Sequence, residues 1–546
     1  MTTVAEQVGT YLARLGVGHA FGVVGSGNFV ITNALRQAGV PFTAARHEGG
    51  AATMADAYSR MSERVSVLSL HQGCGLTNAG TGLCEAAKSR TPMIVLAAET
   101  AAHQTHSNFA MDQEGFARSV MAQPARVYSP ETAMRDTLRA YRVALRDRRT
   151  VVLNLPLNVQ SAEAVGEIPD TMVEPRPDAA PSAIELSKLS EAISASRRPV
   201  FVAGRGGRGA KQEILGLARA TGALVATSAV AKGLFNDDAF NLGISGGFSS
   251  PLTAELIRDA DLIVAFGCAL NMWTMRHGKL IGSNTVIAQV DVDDAALGAH
   301  RPVDIPVLGS SRGVASALLG VFDGEERTGY RTAEVRDRIG NYGRWDQTPT
   351  ADLGVPGHTI DPRELSKEVN GLLPAERIVS IDSGNFMGYP SQYFDVPDEF
   401  GFCFTQAFQS IGLGLYTAIG AALAQPARMP VLGTGDGGFL MAVQELETAV
   451  RLKLPLVVVV YNDAAYSAEV HHFGQDQDMS TVTFPDTDIA ALARGFGAEG
   501  ITVRSIEDLH PLGQWAASSP NKPLVIDAKI ADDGGSWWLA EAFQGH

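Results

Sequence analysis

Short apolar segments recur along the chain, separated by stretches of helical pattern and by glycine-rich turns. Runs of this length, bounded by glycine and rich in Val, Ile and Leu, are typical of strands buried on both faces. In the first part of the chain the predicted strands are His19–Val24, Val65–Leu70, Met93–Ala97 and Thr150–Leu155. Alanine-rich helical patterns lie between them at Gly49–Arg60 and Asn78–Ser89. This alternation predicts a parallel α/β sheet.

The same alternation returns in the middle of the chain and again near its end. The predicted strands of the middle part are Val200–Ala203, Leu224–Thr227, Leu262–Phe266 and Val286–Val292. Two stretches without periodicity, Ser161–Pro181 and Asp323–His358, are predicted to be linkers. We therefore expect an α/β fold of three consecutive parallel-sheet domains, at residues 1–165, 182–325 and 355–546. The first and third could be structural relatives, although the sequence alone does not show this.

Composition argues against several classes of partner. The 546 residues carry 44 basic and 59 acidic side chains, for a formal net charge of −15, without a basic stripe. Nucleic acid and anionic membranes are therefore not expected as partners. The four cysteines form no CxxC pair, which favours a reducing compartment. No apolar run approaches the ~20 residues that span a bilayer, and the first helix lacks the pattern of a signal peptide, so a cytoplasmic protein is expected.

The most informative segment surrounds a Gly-Asp-Gly motif at residues 435–437. A predicted strand, Pro430–Thr434, precedes the motif, and a second, Leu454–Tyr461, ends beside Asn462 and Asp463. Helical pattern at Met441–Leu452 lies between them, and a right-handed crossover brings both strand ends to one edge of a parallel sheet. Open α/β sheets bind ligands at that edge. Hard oxygen ligands beside glycine backbone suit a magnesium ion that holds a diphosphate.

Glu48 begins a helical pattern with one face of Gly and Ala, which lets another helix approach closely. A carboxyl group at the start of such a helix is drawn into a packed interface. Desolvation there raises its pKa and keeps it able to donate or share a proton. The alternative is an acidic residue that only favours the helix dipole.

Gly204–Gly209 matches the GxGxxG dinucleotide fingerprint directly after a predicted strand. The acidic residue that binds the ribose, expected about 20 positions later, is missing, because residues 224–230 are mostly apolar. The favoured interpretation is a glycine turn that packs a helix on a strand. A nicotinamide-dependent oxidoreductase remains the alternative, although it leaves Glu48 and Asp436 unexplained.

Further turns accompany these motifs along nearly the whole chain: Phe21–Asn28, Gln72–Asn78, Leu155–Gln160, Asp382–Asn385 and Ser410–Gly414. Together with Arg46–Tyr58 and the Gly-Asp-Gly motif, they resemble in the same order the motifs of the thiamine-diphosphate-dependent 2-oxo acid family. That family includes acetolactate synthase, pyruvate decarboxylase and benzoylformate decarboxylase. The resemblance implies pyrimidine-binding, central Rossmann-like and diphosphate-binding domains, with thiamine diphosphate and Mg²⁺ as cofactors.

The resemblance also implies roles for individual residues in the third domain. The metal would be bound by the side chains of Asp436 and Asp463 and the carbonyl of Ala465. The remaining implied cofactor contacts are Gly384, Asn385, Gly435, Gly437, Gly438, Asn462 and Tyr466. Ile411 would bend the cofactor, and the backbone of Gln409 would accept a hydrogen bond from its aminopyrimidine.

Glu48 is implied to act between chains. In the family, this glutamate comes from the partner chain and hydrogen-bonds the pyrimidine ring nitrogen, which promotes removal of the thiazolium C2 proton. A homodimer or homotetramer with active sites between chains is therefore expected.

The metal loop departs from the family pattern. Asparagine is usual where Asp463 stands, and a second carboxylate adds negative charge beside the metal and the diphosphate. Asn462 could take the ligand role instead. Asp463 is favoured because the position relative to Tyr466 decides which side chain points inward.

Glu469 lies at the offset from Tyr466 where pyruvate-decarboxylase-like members carry a proton-donating acid, whereas acetolactate synthases have an apolar residue near there. His71, His106 and His472 are further candidates for proton transfer, and each could instead be a packing or surface residue. Gln113 resembles a glutamine near the substrate in acetolactate synthases. The turn at 266–273 lacks the arginine with which acetolactate synthases bind FAD, so FAD is not expected.

The favoured function is cleavage or formation of a C–C bond next to a carbonyl. Within it, acetolactate-synthase-like carboligation is favoured: a 2-oxo acid loses CO2 and is joined to an aldehyde or a second 2-oxo acid. Simple decarboxylation to an aldehyde stays open. A cofactor-binding protein without catalysis is a third alternative, and Glu48 argues against it because binding needs only the metal and diphosphate turns.

Overall fold

The computed structural model describes residues 2–473 and 476–542. Within these residues the strands form three six-stranded sheets, one after another along the chain. Neighbouring strands pair in parallel throughout these sheets. The predicted fold class, three consecutive parallel α/β domains, is confirmed. In the described part of the chain, no helix is long and apolar enough to cross a membrane.

The strands of the first domain are β1 Ala20–Gly22, β2 Phe42–Ala44, β3 Ser66–Leu70, β4 Met93–Glu99, β5 Gln123–Arg126 and β6 Thr150–Pro156. Its helices are α1 Val4–Arg14, α2 Phe29–Gln37, α3 Glu48–Ser62, α4 Cys74–Asn78, α5 Gly80–Lys88, α6 Gln113–Ser119, α7 Ala133–Arg146 and α8 Leu157–Gln160. The strands are arranged in the order β2-β1-β3-β4-β6-β5.

The strands of the middle domain are β7 Pro199–Ala203, β8 Leu224–Thr227, β9 Asn241–Ile244, β10 Leu262–Phe266, β11 Val286–Asp291 and β12 Ile305–Leu308. Its helices are α9 Ala183–Ala195, α10 Lys211–Thr221, α11 Pro251–Arg258, α12 Met272–Met275, α13 Ser311–Val321 and α14 Ala333–Tyr342. The order β12-β11-β10-β7-β8-β9 is that of dinucleotide-binding Rossmann folds. Helix α14 lies in the interval expected to be a linker, where Val335 joins the core of this domain.

The glycine turn after β7 packs against the turn after β10. A Cβ atom on Gly204 would lie 2.2 Å from the carbonyl oxygen of Gly267, and one on Gly206 would lie 2.9 Å from its Cα. The turn continues as a 3-10 helix, Arg205–Ala210, before α10 begins. Backbone packing therefore accounts for these two glycines without a nucleotide, in line with the favoured interpretation.

The strands of the third domain are β13 Arg377–Ile381, β14 Phe402–Phe404, β15 Met429–Gly435, β16 Val457–Asn462, β17 Glu499–Val503 and β18 Leu524–Lys529. Its helices are α15 Pro362–Leu372, α16 Gly388–Tyr393, α17 Gly414–Ala424, α18 Asp436–Ala442, α19 Glu445–Arg451, α20 Ser467–Phe473, α21 Ile489–Gly495, α22 His510–Ala517 and α23 Trp537–Ala542. The order is β14-β13-β15-β16-β18-β17. Counted from the first strand of each sheet, this is the order of the first domain, so these two domains are structural relatives.

Helices α3 and α17, which precede the third strand of the first and third sheets, join the two domains. A Cβ atom on Gly420 would lie 2.3 Å from the carbonyl oxygen of Met54, so the two backbones touch. Ala51 and Ala55 of α3 and Ala418 of α17 belong to one hydrophobic core that both domains share. The predicted close approach of another helix to the Gly/Ala face of α3 is confirmed.

Candidate functional site

The two halves of the Gly-Asp-Gly…Asn-Asp motif meet at one edge of the third sheet. Strands β15 and β16 are neighbours, and Gly435 pairs with Tyr461 in their register. Asp436 therefore begins α18 where β15 ends, and Asp463 follows β16 directly at the same edge. The predicted parallel pairing and the shared edge are confirmed.

Asp436 and Asp463 form a carboxylate pair in a poorly solvated position. Only 6% of Asp436 is exposed. Burial, reinforced by the charge of Asp463, raises the pKa of Asp436 to about 7. Burial also raises the pKa of Asp463, although hydrogen bonds from the Ser467 hydroxyl and the Ala465 backbone N–H oppose this effect. A buried and a half-buried carboxylate that repel each other are a donor set that a hard divalent cation would stabilise.

Asn462 is turned away from this pair. Its amide nitrogen donates to Asp527 Oδ1 at 2.8 Å, and its amide oxygen accepts from the backbone N–H of Ala464 at 3.1 Å. Only 4% of the residue is exposed. These contacts fix the loop, and they favour Asp463 over Asn462 as the side chain available to a metal.

Asp382, which directly follows β13, forms hydrogen bonds that connect the turns around the site. Its carboxyl group accepts hydrogen bonds from the N–H of Ser383 at 2.8 Å, the N–H of Gly412 at 3.0 Å and the hydroxyl of Thr434 at 3.0 Å. Burial raises its pKa to about 6 despite these donors. Sequence reasoning missed this role, because the three contacts come from segments 1, 30 and 52 residues away.

Three glycines of the predicted site lie where neighbouring side chains or the backbone conformation exclude a larger residue. A Cβ atom on Gly437 would lie 2.4 Å from the ring of Tyr466, and one on Gly438 would lie 2.5 Å from Asp382 Oδ2. Gly384 has φ +149°, a conformation that side-chain-bearing residues rarely adopt. Glycine turns beside paired carboxylates at the edge of a parallel sheet fit a diphosphate and its cation.

The loop before α17 carries Gln409 and Ile411 in a strained backbone. Gln409 has φ +60° and Gly412 has φ +84°, so a left-handed residue lies on each side of Ile411. Ala464 in the metal loop also has positive φ, at +56°. Left-handed non-glycine residues persist only where the surroundings impose them, and they concentrate at functional sites.

A cavity of about 540 Å³ opens between the three domains. Gly384, Gln409, Ile411 and Glu469 line it from the third domain, while Trp273 is among its residues from the middle domain. Its volume exceeds the needs of a small 2-oxo acid and falls within the range typical of ligand sites. The structure thus brings Glu469 together with the predicted wedge and glycine turn.

Glu48 lies at the corresponding edge of the first sheet, apart from this cavity. Its carboxylate accepts a hydrogen bond from the Asn78 amide at 3.0 Å. The side chains of His71 and Glu48 both approach Gly75, at 3.3 and 3.6 Å from the position of its absent Cβ. Among the described residues, Glu48 and His71 do not belong to the cavity lining. Within one chain, the two halves of the predicted site are therefore separate.

Three further predicted site residues, His106, His472 and Gln113, are not among the described residues that line the cavity. His106 is exposed in the segment after β4, and His472 is exposed on α20. Gln113 is 2% exposed, and its amide bonds the N–H of Gly73, the carbonyl of Ala98 and Asn154 Oδ1, at 2.8 to 3.0 Å. These contacts turn Gln113 into the domain, where it holds the left-handed turn at Gly73 instead of facing the cavity.

The C-terminal segment covers part of the site, which sequence reasoning did not anticipate. The hydroxyl of Ser536 donates to Asn385 Oδ1 at 2.5 Å, and Leu539 lines the cavity. Glu541 pairs with Arg276 of the middle domain at 2.6 Å. Asn385, predicted to contact the cofactor, thus uses its side-chain oxygen to hold this segment.

Comparisons with known proteins agree with this architecture. Residues 2–121 match the model described as "Thiamine pyrophosphate enzyme, N-terminal TPP binding domain". Residues 186–318 match its central domain, and residues 382–528 match its C-terminal TPP binding domain. The three matches follow the order of the three sheets and together span well over half of the chain.

Relatives cover nearly the full length at low identity. The chain is 27% identical to a sulfoacetaldehyde acetyltransferase of Alcaligenes xylosoxydans xylosoxydans, over 99% of this chain and 95% of the relative. It is 28% identical to a probable 2-ketoarginine decarboxylase of Pseudomonas aeruginosa, over 93% and 90%. It is 26% identical to an acetolactate synthase of Bacillus subtilis, over 96% and 93%. With all three domains matched in order, the chain belongs to the family of thiamine pyrophosphate (thiamine diphosphate) enzymes.

Proposed function

We propose that this protein binds thiamine diphosphate with Mg²⁺ and catalyses acetolactate-synthase-like carboligation after decarboxylation of a 2-oxo acid. The observation that carries the proposal is the cavity in which Gly384, Gln409, Ile411 and Glu469 come together. Asp463 of the carboxylate pair accepts a hydrogen bond from Ser467, the first residue of the helix that carries Glu469. The proposed substrates are a 2-oxo acid and, as acceptor, an aldehyde or a second 2-oxo acid. The cavity volume supports a site that holds more than one small molecule.

In this proposal Asp436, Asp463 and the carbonyl of Ala465 hold the metal, and the glycine turns receive the diphosphate. When bound, thiamine diphosphate supplies a carbon nucleophile and an electron sink for loss of CO2. The protein itself positions Ile411 and Gln409 and excludes water from the apolar wall of the cavity.

Glu48 completes the site from a second chain. Its separation from the cavity within one chain supports a homodimer or a larger homo-oligomer in which the Glu48 edge faces the partner's cavity. In that position its carboxyl group would share a proton with the pyrimidine ring nitrogen of bound thiamine diphosphate.

The names of the relatives support chemistry on small carbonyl compounds without fixing one reaction. They include an acetolactate synthase, a probable decarboxylase and an acetyltransferase, and the last name states only that an acetyl group is transferred. Plain decarboxylation to an aldehyde is the second candidate, favoured by Glu469 at the cavity wall, since a carboxyl group there can deliver a proton to the product carbon.

Substitution Glu469→Gln should decide between these outcomes within one active site. The amide keeps the shape of the side chain but donates a proton poorly, so aldehyde release should fall roughly 10-fold or more, with ligated product retained. Aldehyde and ligated product are quantified together in one reaction by chromatography. His472→Asn, on the same helix but exposed, is the control and should leave the product ratio unchanged. Equal loss of both products in Glu469→Gln would contradict a selective role.

Substitution Asp463→Ala should remove metal-dependent cofactor binding. Loss of one of two carboxylate ligands should weaken thiamine diphosphate binding in the presence of Mg²⁺ by about 100-fold or more. Asp463→Asn, which restores the residue usual in the family, should keep binding within a few-fold. Fluorescence titration with cofactor at fixed Mg²⁺ measures both variants. Wild-type affinity in Asp463→Ala would remove Asp463 from the metal site.

The reaction itself is tested with a panel of 2-oxo acids, each offered with and without aldehyde acceptors. CO2 release and ligated product are followed together. Ligated product in proportion to CO2 supports carboligation, whereas free aldehyde as the main product under all conditions supports the decarboxylase alternative.

A further inference from the structure

Two buried glutamates occupy equivalent helices of the first and third domains. Glu85 lies on α5 and Glu445 on α19, the helices that lead from the third to the fourth strand of their sheets. Both residues are fully buried. Neither has a role in the proposed chemistry, and each reaches across to the other domain.

Glu445 holds the backbone immediately before Glu48. Its Oε1 accepts hydrogen bonds from the N–H of Arg46 at 2.8 Å and of His47 at 3.0 Å. Its Oε2 accepts from the Thr448 hydroxyl at 2.5 Å. A Cβ atom on Gly50 would lie 2.8 Å from Oε1, so glycine there leaves the space that the carboxylate occupies. The start of α3, and with it Glu48, is thus fixed by a side chain of the third domain.

Glu85 holds the backbone immediately before Gln409. Its Oε1 accepts from the N–H of Ala407 at 3.1 Å, and its Oε2 accepts from the N–H of Phe408 at 2.7 Å. Arg60 of α3 donates to Glu85 at 2.6 Å and to the carbonyl of Phe404 at 3.0 Å. Burial alone would raise the pKa of Glu85, but Arg60 and the two backbone donors outweigh it and lower the pKa.

The two arrangements are related by the shared topology of their domains. Each glutamate accepts two backbone N–H groups from the connection before the helix that pairs across the interface, α3 in one case and α17 in the other. Burying a carboxylate is costly, and an apolar contact would join two domains more cheaply. A pair of charge-assisted hydrogen bonds instead fixes the orientation of the backbone segment that donates them. In both cases the donating residues lie one or two positions before a proposed active-site residue, Glu48 or Gln409.

We propose that Glu445 and Glu85 are positioning residues: Glu445 sets the place of Glu48, and Glu85 sets the place of the Gln409–Ile411 loop. The inference rests on the proposed function, because it assigns these residues to the cofactor site. In this arrangement the first and third domains of a chain each align the active-site element that the other carries.

The two sites should respond differently to the same substitution. One oxygen of Glu445 accepts both backbone N–H groups, so the amide of Glu445→Gln can keep them. The oxygens of Glu85 accept one each, so the amide of Glu85→Gln can satisfy only one and also loses the charge that faces Arg60. Glu445→Leu removes both carboxylate oxygens. Gly50→Ala displaces the carboxylate, and alanine has a higher helix propensity than glycine, so it is the second variant should Glu445→Leu fail to fold.

Two readouts without substrate test the proposal on the full-length protein with Mg²⁺: the dissociation constant of thiamine diphosphate, and the rate of C2 proton exchange in the bound cofactor by NMR. Glu445→Leu and Gly50→Ala should slow exchange on the order of tenfold with the dissociation constant within about twofold, and Glu445→Gln should remain near wild type. Glu85→Gln should raise the dissociation constant on the order of tenfold. Asp136→Asn, which changes a buried carboxylate bonded within the first domain, should change neither.

A positioning role is separated from general damage in a Glu48→Gln background. Because Glu445 acts through Glu48, Glu445→Leu should slow exchange no further there. Equal slowing in both backgrounds, or no slowing of exchange in either Glu445→Leu or Gly50→Ala, would overturn the proposal for Glu445. Unchanged cofactor affinity in Glu85→Gln would overturn it for Glu85. A wild-type protein that does not accelerate C2 exchange at all would refute the proposed function itself, and this inference with it.

Discussion

Substitution Asp436→Asn is expected to stabilise the metal-free protein at pH 8 and, in the same molecule, to abolish metal-dependent cofactor binding. Burial and Asp463 raise the pKa of Asp436 to about 7. The folded state therefore binds this proton more tightly than the unfolded state does. The stability that this group contributes is fully present below its ordinary pKa of about 4 and is lost as the pH rises through 7.

Asparagine carries no charge at any of these pH values and removes the repulsion. Thermal unfolding in chelator should give a higher melting temperature for Asp436→Asn than for wild type at pH 8, with a smaller difference at pH 5. Added Mg²⁺ and thiamine diphosphate should raise the melting temperature of wild type alone.

Asp527→Asn is the matched control for this experiment. Asp527 is fully buried but is bonded to Asn462 at 2.8 Å and paired with Lys529 at 3.0 Å, so its loss should destabilise the protein at both pH values. A lower melting temperature of Asp436→Asn at pH 8, or a cofactor-induced shift equal to that of wild type, would contradict the assigned metal site.

Substitution Glu48→Gln is expected to have the largest effect on turnover. Glutamine keeps the shape of the side chain and an oxygen for the Asn78 amide, but it cannot share the proton. The turnover number should fall roughly 10²–10⁴-fold, the usual contribution of a positioned acid or base, with the cofactor dissociation constant changed by only a few-fold. Steady-state kinetics and cofactor titration measure the two quantities separately. Glu447→Gln, an acidic neighbour paired with Arg46, is the control and should be close to wild type.

Mixing the two inactive variants tests whether the site is shared between chains. A dimer of one Glu48→Gln chain and one Asp436→Asn chain has one site with both residues intact if Glu48 serves the partner's cofactor. Co-expression with two affinity tags should then recover activity that neither variant shows alone. No recovery in a purified mixed dimer would place Glu48 and Asp436 of one chain in the same site.

Much of the fold could be predicted because buried parallel strands are short apolar runs. The runs at 150–155, 224–227 and 262–266 match strands β6, β8 and β10 closely. The edge strands β2, β5 and β14 were not predicted, since three or four residues with mixed burial carry little periodic signal. The helix expected over Met441–Leu452 is two helices, α18 and α19, and the break at Val443 and Gln444 brings Glu445 to a helix start.

In the candidate site too, residues could be predicted where the neighbouring sequence determines their position, and could not where contacts distant in sequence determine it. Asp436 and Asp463 could be placed at one sheet edge because each directly follows a strand. Glu85 and Glu445 could not be found this way, since their partners lie 322 to 399 residues away along the chain. For Gln113 the resemblance to acetolactate synthases suggested a place near the substrate, whereas in the structure its amide bonds the Gly73 N–H, the Ala98 carbonyl and Asn154 Oδ1.

The central claim is that this chain uses thiamine diphosphate and Mg²⁺ to remove CO2 from a 2-oxo acid. The most direct measurement is CO2 release from a panel of 2-oxo acids by protein stripped of metal and cofactor, then supplied with each component alone and with both. We predict release from at least one 2-oxo acid only when both are present, and none from Asp436→Asn under the same conditions. Release without thiamine diphosphate, or its absence across the panel with both components bound, would contradict the account.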